Sequence, residues 1–317
     1  MKIAVTGGAG FIGRNLVASL VSHGAEVIVI DDLSTGSLEN LSNVSCQVEE
    51  ISLLNFERLQ NVLEQVDYVF HLAARGSVPK SVADPEMTWN VNAQGTFNVM
   101  QAIRRKRIPV IFSSSSSVYG SNQTLPKNEQ MWTSPISPYG ASKLAAESIV
   151  SSFVHSYDLK AMIFRFFNVF GPWQASDHEY AAVIPKWIHS CIVQEPIRIE
   201  GDGSQSRDFT YVEDLVEVLL QTLERRIYLE TPVNLAFGHS ITLKSLSSLL
   251  VGRFPSVKFI ESAPRIGDIK HSKNDPRLLN QIFPKIKTHT FKEAISKTID
   301  WYVEAHSRAN IGKKNIG

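Results

Sequence analysis

Short apolar runs alternate with longer stretches of helical periodicity through the first half of the chain. Lys2 to Thr6 (Lys-Ile-Ala-Val-Thr) reads as a strand. Phe11, Ile12, Leu16, Val17, Leu20 and Val21 then recur at the spacing of one helix face, up to a stop at His23-Gly24. A second strand runs from Glu26 to Ile30, and a third from Val66 to Leu72. A long helical segment follows from about Pro85 to Lys106, then a strand at Pro109 to Ser113. The pattern ends with a helix from about Ser137 to Tyr157 and a strand at Lys160 to Phe167. This alternation predicts an α/β fold, a doubly wound parallel sheet whose ligands lie at the carboxyl ends of its strands.

From Asn168 the texture changes to shorter elements separated by loop signals, Gly171-Pro172-Trp173, Gly201-Asp202-Gly203 and Pro264 to Asp268. The expectation is a dinucleotide-binding unit over residues 1–167. Residues 168–317 then form a smaller C-terminal substrate lobe, interleaved with returning elements of the main sheet. His306 to Gly317 are polar and basic and are expected to fray.

The first strand runs straight into Gly7-Gly8-Ala9-Gly10-Phe11-Ile12-Gly13, so Gly7, Gly10 and Gly13 have G-x-x-G-x-x-G spacing. That is a near relative of the dinucleotide fingerprint. Glycines close the turn, let the backbone approach a pyrophosphate and let the helix pack on the sheet, with its N-terminal amides aimed at the phosphates. The strand and amphipathic helix on either side supply the context that a lone glycine loop lacks. The second strand ends in Asp31-Asp32, where an acid accepts the adenosine ribose hydroxyls and repels a 2′-phosphate, so Asp31 favours NAD over NADP. Arg14, just inside the helix, reads as a solvated residue rather than a phosphate ligand.

Tyr139 and Lys143 sit four apart in Tyr139-Gly140-Ala141-Ser142-Lys143, on one face of their helix, and a run of five serines from Ser113 to Ser117 lies upstream. An ammonium beside a phenol favours the phenolate. Bringing the phenol from about 10 to about 7 takes ~4 kcal/mol, within reach of a lysine plus a cationic nicotinamide in a dry cleft. An ordinary surface pair is the bland alternative, and the glycine loop and serine run tell against it.

Size and composition bound the rest. The chain has 317 residues, 43% of them hydrophobic, enough for one large α/β unit with an appended lobe. With 32 basic and 31 acidic residues, nothing calls for nucleic acid or a membrane surface as partner. Cys46 and Cys191 make no metal spacing and no disulfide framework, which fits a reducing cytoplasm and no metal. Met1-Lys2 leads directly into the first strand, so no signal peptide is expected, and no apolar run approaches the ~20 residues of a membrane helix.

Together these residues resemble the extended short-chain dehydrogenase/reductases of Rossmann fold, and within them the NAD-dependent nucleotide-sugar epimerases and dehydratases. The resemblance covers nearly the whole chain. It rests on Thr6 to Gly13, Asp31 to Gly36, His71-Leu72-Ala73-Ala74, Ser113 to Gly120, Tyr139 to Lys143, Arg165 to Pro172, Gly201 to Leu215 and Arg265-Ile266-Gly267-Asp268. It is nearest to the UDP-glucose/UDP-N-acetylglucosamine 4-epimerases. It implies Ser115, Tyr139 and Lys143 as catalytic residues. The implied NAD contacts are Gly7, Gly10, Phe11, Ile12, Gly13, Asp31, Glu50, Ile51, Ala73, Ala74, Asn90, Tyr139 and Lys143. Glu50-Ile51 stands where the family has Asp-Ile, a change that bears on the adenine and not on the chemistry.

For the UDP-sugar, the resemblance implies Ser115, Asn168, Arg207, Arg265, Asp268 and Ser272. Arginine forks suit a diphosphate in geometry as well as charge. The implied reaction is 4-epimerisation through a transient 4-keto sugar with retained NAD, by a homodimer that pairs the helices around 85–106 and 137–157.

Relatives that eliminate water across C5 and C6 carry an Asp-Glu pair where this chain has Ser116-Ser117, and hydroxyls cannot replace carboxyls as acid and base. That weighs against a 4,6-dehydratase. Ser77-Val78-Pro79-Lys80-Ser81 resembles a segment of a 5,6-dehydratase, which stays a minor alternative. Ser272 occupies the family's gate beside C2, where a small residue admits an N-acetyl group without rejecting a hydroxyl. UDP-glucuronate 4-epimerases share the triad, and Arg75 would either meet a carboxylate or pair with a loop acid, the latter preferred. A non-catalytic NAD-binding regulator is disfavoured because all three catalytic positions are intact. His71 is expected to pack or cap.

Overall fold

In the computed structural model of the chain, residues 1–176, 181–262 and 271–314 are described. The first half follows the alternation of the sequence: β1 (Lys2–Thr6), α1 (Phe11–Ser22), β2 (Glu26–Asp31), β3 (Gln47–Glu50), α2 (Phe56–Leu63), β4 (Tyr68–His71), α3 (Val78–Ala83), α4 (Pro85–Trp89), α5 (Gly95–Ile103), β5 (Val110–Ser115), α6 (Pro138–Tyr157) and β6 (Ala161–Phe166). The second half holds β7 (Val169–Phe170), α7 (Val183–Ile192), β8 (Ile197–Glu200), β9 (Ser206–Asp208), β10 (Thr210–Tyr211), α8 (Val212–Glu224), β11 (Val233–Leu235), β12 (Ser240–Thr242), α9 (Leu243–Arg253), β13 (Phe259–Ser262), α10 (Arg277–Ile282) and α11 (Phe291–Lys314).

Seven strands form one sheet in the order β11-β6-β5-β4-β1-β2-β3, and all its pairings are parallel. Strand order reverses between β1 and β4, which opens the crevice where such folds bind ligands. Alternate residues segregate to the two faces, as a pleated strand requires. Ile3, Val5, Val29, Phe70, Ile111 and Phe164 face one core with Leu16 and Leu20 of α1 and Leu215 and Leu219 of α8. Ala4, Ile28, Ile30, Val69, Phe112 and Ile163 face the other, with Leu59 of α2, Val99 of α5 and Val150 of α6. Burial on both faces is why these strands read as unbroken apolar runs.

β11 returns from the second half to pair with β6, and the first core continues into Ile184, Trp187 and Leu246. The helical segment starting at Pro85 is interrupted by a π turn over Asn90–Gln94 and stops at Ile103, short of Lys106. The turn puts Asn92 against the loop after β4: its Oδ1 accepts from the Arg75 amide at 2.8 Å, and its Nδ2 donates to Ser142 Oγ at 2.9 Å. Among the described residues no helix is long and apolar enough to cross a membrane.

Candidate functional site

A cleft of about 910 Å³ opens at the carboxyl ends of the sheet strands. Its walls are the glycine loop, the end of β2, the segment after β4, the serine run, the start of α6 and the stretch from Asn168 to Ala175.

At one end the glycine loop is packed too closely for side chains. Gly7 has φ +71, and a Cβ on it would lie 2.7 Å from Ala73 Cα; a Cβ on Gly13 would lie 2.1 Å from the Gly7 oxygen. Both are far inside contact distance, so the backbone stays bare where a pyrophosphate would approach. Asp31 is buried, its Oδ2 accepting from the Ala9 amide and its Oδ1 from the Leu33 amide, each at 3.0 Å. Burial raises its carboxyl and those amides oppose the rise. Two of about four acceptor sites remain for ribose hydroxyls. Phe11, Ile12, Ile51, Ala73 and Ala74 line the same space with Gly7, Gly10 and Gly13. These residues fit a dinucleotide.

Two expected cofactor residues fall outside the lining. Glu50 is exposed at the end of β3, in register with Asp31, and Asn90 is half-buried at the start of the π turn, where Val91 lines the cleft instead. Arg14 departs from its reading as a solvated residue. It is half-buried, its guanidinium 4.2 Å from the centre of the Trp173 ring, because the loop after β7 folds back over α1. Asn15 Nδ2 holds that loop through the Pro172 carbonyl at 3.1 Å. The Trp173 partner lies far off in sequence, so nothing local to Arg14 announced it.

The middle of the cleft brings the serine run against α6. Ser137 caps α6 by accepting from the Gly140 amide, which sets Tyr139 in the first turn and Lys143 one turn on. Lys143 Nζ donates to the Ser113 carbonyl at 2.7 Å, and burial pulls its pKa down to about 7 against the opposing charge of Glu147. Ser115 Oγ accepts from the Ser117 amide at 3.1 Å. Burial raises the Tyr139 phenol, and a hydrogen bond with Ser115 pulls the other way. Ser115, Tyr139 and Lys143 thus share one wall, with Ser116 and Ser117 beside them. The described carboxylates lining the cleft are Asp31, Asp32 and Asp84; Asp31 ends β2, Asp32 follows it, and Asp84 pairs with Arg75 at 3.3 Å. Arg75 therefore meets a loop acid, the reading preferred from sequence.

His71 lies beneath. Its Nδ1 meets Thr6 Oγ1 at 2.7 Å and its Nε2 meets Thr96 Oγ1 at 3.0 Å. Burial, then the Lys143 charge, pushes its pKa down to about 3, so it is a neutral packing residue.

On the opposite wall Asn168 faces the cleft, its Nδ2 donating to the Asp208 carbonyl at 3.0 Å. Arg207 and Ser272 cluster around the same strand, β9. Arg207 Nη1 donates to the Ser206 carbonyl, and the Ser272 amide donates to that same oxygen, both at 3.0 Å. Neither is among the residues lining the cleft. Arg265 and Asp268 lie outside the described residues.

Sequence reasoning missed Glu147 and Arg165, a buried ion pair with Nη2 2.8 Å from Oε2. Glu147 follows Lys143 at the same i,i+4 spacing that marked Tyr139 and Lys143, and that was the available signal.

The family model described as "NAD dependent epimerase/dehydratase family" matches residues 3–236. A UDP-glucose 4-epimerase from Mycolicibacterium smegmatis is 30% identical, over 95% of this chain and 98% of its own length. A UDP-glucuronic acid decarboxylase from Arabidopsis thaliana is 32% identical over 86% of this chain, which spans 63% of that protein. Among solved structures, UDP-N-acetylglucosamine 4-epimerase from Methanobrevibacter ruminantium M1, in complex with UDP-N-acetylmuramic acid, shares 38% identity with a TM-score of 0.90. That match covers 96% of this chain and 98% of the other. With a bare glycine loop, a buried aspartate after the second strand and a Ser-Tyr-Lys wall on one cleft, the chain belongs to the NAD-dependent epimerase/dehydratase family.

Proposed function

We propose that the protein is a UDP-sugar 4-epimerase, acting on UDP-N-acetylglucosamine/UDP-N-acetylgalactosamine, on UDP-glucose/UDP-galactose, or on both. The observation that carries this reading is the makeup of the wall around Tyr139. Ser115, Tyr139 and Lys143 meet there with hydroxyls at 116 and 117, the two positions where an elimination would need carboxyls.

In this reading Gly7, Gly10 and Gly13 present bare backbone to the cofactor's pyrophosphate, Asp31 takes its adenosine ribose, and Lys143 takes the nicotinamide ribose. When bound there, NAD would supply the reversible hydride chemistry at C4 of the sugar. The Tyr139 phenolate removes the proton of the 4-hydroxyl and later gives it back. Ser115 donates to the developing carbonyl oxygen. Lys143, held by the Ser113 carbonyl, supplies the positive charge that favours the phenolate. Asn168, Arg207 and Arg265 hold the nucleotide diphosphate, and Asp268 its ribose. Retention of NAD follows, because the reaction has no net redox change.

A hexuronate substrate has one observation in its favour. Lys80 lines the cleft beside Arg75, and among the described residues no acid pairs with it. The cleft's adjoining helices also support a homodimer. Val82 (66%), Trp89 (51%), Phe97 (41%) and Tyr157 (40%) are exposed apolar groups on α3 to α6, more than a lone surface favours.

The test is purified protein without added cofactor, incubated in turn with UDP-N-acetylglucosamine, UDP-glucose and UDP-glucuronate, with products resolved by NMR. A C4-inverted product without accumulation of reduced nicotinamide supports epimerisation. A pentose from loss of carbon dioxide, a 4-keto or an unsaturated product replaces that reading with decarboxylation or elimination. Activity that survives Tyr139→Phe in a biological assay points to a binding protein.

A further inference from the structure

Beneath the serine run lies a buried ion pair to which the proposed reaction gives no role. Glu147 takes Nε and Nη2 of Arg165 at 2.9 and 2.8 Å, with the two side chains only 5% and 6% exposed. The same carboxylate accepts Ser114 Oγ at 2.5 Å. Arg165 Nη1 donates to the Tyr119 hydroxyl at 2.9 Å, and that hydroxyl donates to Asn234 Oδ1 at 2.7 Å. Replacing a buried ion pair by apolar residues of similar volume is often neutral or stabilising, so the pair is weak evidence of a role in stability. What it touches does. Ser114 and Tyr119 bracket Ser115, Ser116 and Ser117, and Lys143 holds Ser113 just before them.

We propose that Glu147 and Arg165 are positioning residues for the reaction. They anchor Ser114 and Tyr119, so fixing the Ser115 hydroxyl against Tyr139, and Glu147, one turn along α6 from Lys143, is the carboxylate that keeps it an ammonium. This rests on the epimerase reading of Ser115, Tyr139 and Lys143.

The surroundings of Lys143 leave Glu147 as the group able to do this. From β4 comes His71, neutral and hydrogen-bonded on both ring nitrogens. From β5 come the Ser113 carbonyl and the Phe112 ring, whose centre is 5.1 Å from Nζ. From β6 comes Arg165, a cation whose like charge cannot favour an ammonium. On α6 itself stand Tyr139 and Glu147. Removing the Glu147 charge lets burial discharge Lys143, and an uncharged Lys143 no longer favours the Tyr139 phenolate.

The experiment follows Tyr139 directly. Tyrosinate ultraviolet absorbance is titrated in NAD-loaded protein, each form referenced to the same form carrying Tyr139→Phe. Glu147→Gln raises the Tyr139 titration by about one unit, a tenfold loss of phenolate at neutral pH. Glu147→Asp restores most of it. Because Glu147→Gln leaves Arg165 buried and unpaired, the double variant Glu147→Leu with Arg165→Met serves as the folded form without that charge, and it shifts the titration in the same direction. Where the wild type turns over, the pH dependence of its rate moves with the titration.

An unchanged Tyr139 titration in both variants overturns the inference, even if turnover falls, because a purely structural pair lowers rate without moving an ionisation. The titration needs no turnover. A wild type that acts on no UDP-sugar therefore sinks the epimerase reading without touching this result.

Discussion

The Lys143 ammonium is held by the Ser113 carbonyl, 2.7 Å from Nζ and two residues before the Ser115 hydroxyl it serves. Burial leaves Lys143 near a pKa of about 7, so it is charged below neutrality and loses its proton as pH rises through that value. The rate of the proposed epimerisation falls correspondingly on the alkaline side, starting near neutral pH. Lys143→Met removes that limb and lowers kcat by roughly a hundredfold or more, the scale of a lost acid–base contribution. A kcat profile from pH 6 to 10 for both forms checks it. An alkaline limb that survives in Lys143→Met assigns the ionisation elsewhere.

Burial raises the Tyr139 phenol against the Ser115 hydrogen bond, and the positive nicotinamide ring of bound NAD would favour the phenolate. Tyr139→Phe keeps the ring and its packing and removes the acid–base group. Turnover drops by about 10²- to 10⁴-fold while bound NAD, measured after denaturing the protein, stays near the wild-type stoichiometry. Equal loss of cofactor and turnover would make Tyr139 a binding residue only.

The sheet was legible because its strands are buried on both faces: Ile3, Val5, Ile28, Ile111 and Phe112 form continuous apolar runs that no other element explains. Gly7, Asp31 and Tyr139 were legible because steric or chemical need fixes them at short spacing. What stayed hidden depends on contacts distant in sequence. Arg14 reads as solvated until Trp173 is laid over it, and Arg165 reads as a strand residue until Glu147 reaches it from α6. The π turn at Asn90–Gln94 was hidden for a related reason. The hydrophobic period continues through it, and only the Asn92 contacts to Arg75 and Ser142 show why the helix deforms.

Gly13→Ala tests the glycine loop. The added methyl would sit 2.1 Å from the Gly7 oxygen and 2.6 Å from Gly8 Cα, both of them backbone with no rotamer to yield. The loop must shift, at a cost of about 1–3 kcal/mol. The purified variant carries little NAD, and its Tm falls. Full NAD occupancy with unchanged Tm would mean that the loop sits further from α1 than it does in this structure.

His71 gives the fold a pH dependence of calculable sign. Folded, it stays neutral down to about pH 3; unfolded, it binds a proton near 6.5. Below that value the unfolded chain binds more protons, so stability falls as pH falls, by up to ~1.4 kcal/mol per unit from this residue. It is fully present above about 6.5. His71→Gln retains a group able to bond Thr6 or Thr96 and does not titrate. Urea unfolding at pH 7, 6 and 5 shows a shallower decline for the variant than for the wild type. Parallel declines would locate the acid sensitivity in other groups.

Ser272 is held through its backbone: its amide donates to the Ser206 carbonyl and its carbonyl accepts from Ser240 Oγ, each at 3.0 Å. The side chain is therefore replaceable without losing either contact. Ser272→Tyr adds a large ring one residue from the strand that carries Arg207, on the side where the gate reading puts the C2 substituent of the sugar. Occlusion of an acetamido group by such bulk is worth roughly tenfold to two-hundredfold, whereas a hydroxyl at C2 still fits. The variant should lose kcat/KM for UDP-N-acetylglucosamine by that factor and keep most of it for UDP-glucose. Measured in competition, so that enzyme concentration cancels, the ratio separates gating from damage. Equal losses on both substrates would reduce Ser272 to a tie between β9 and β12.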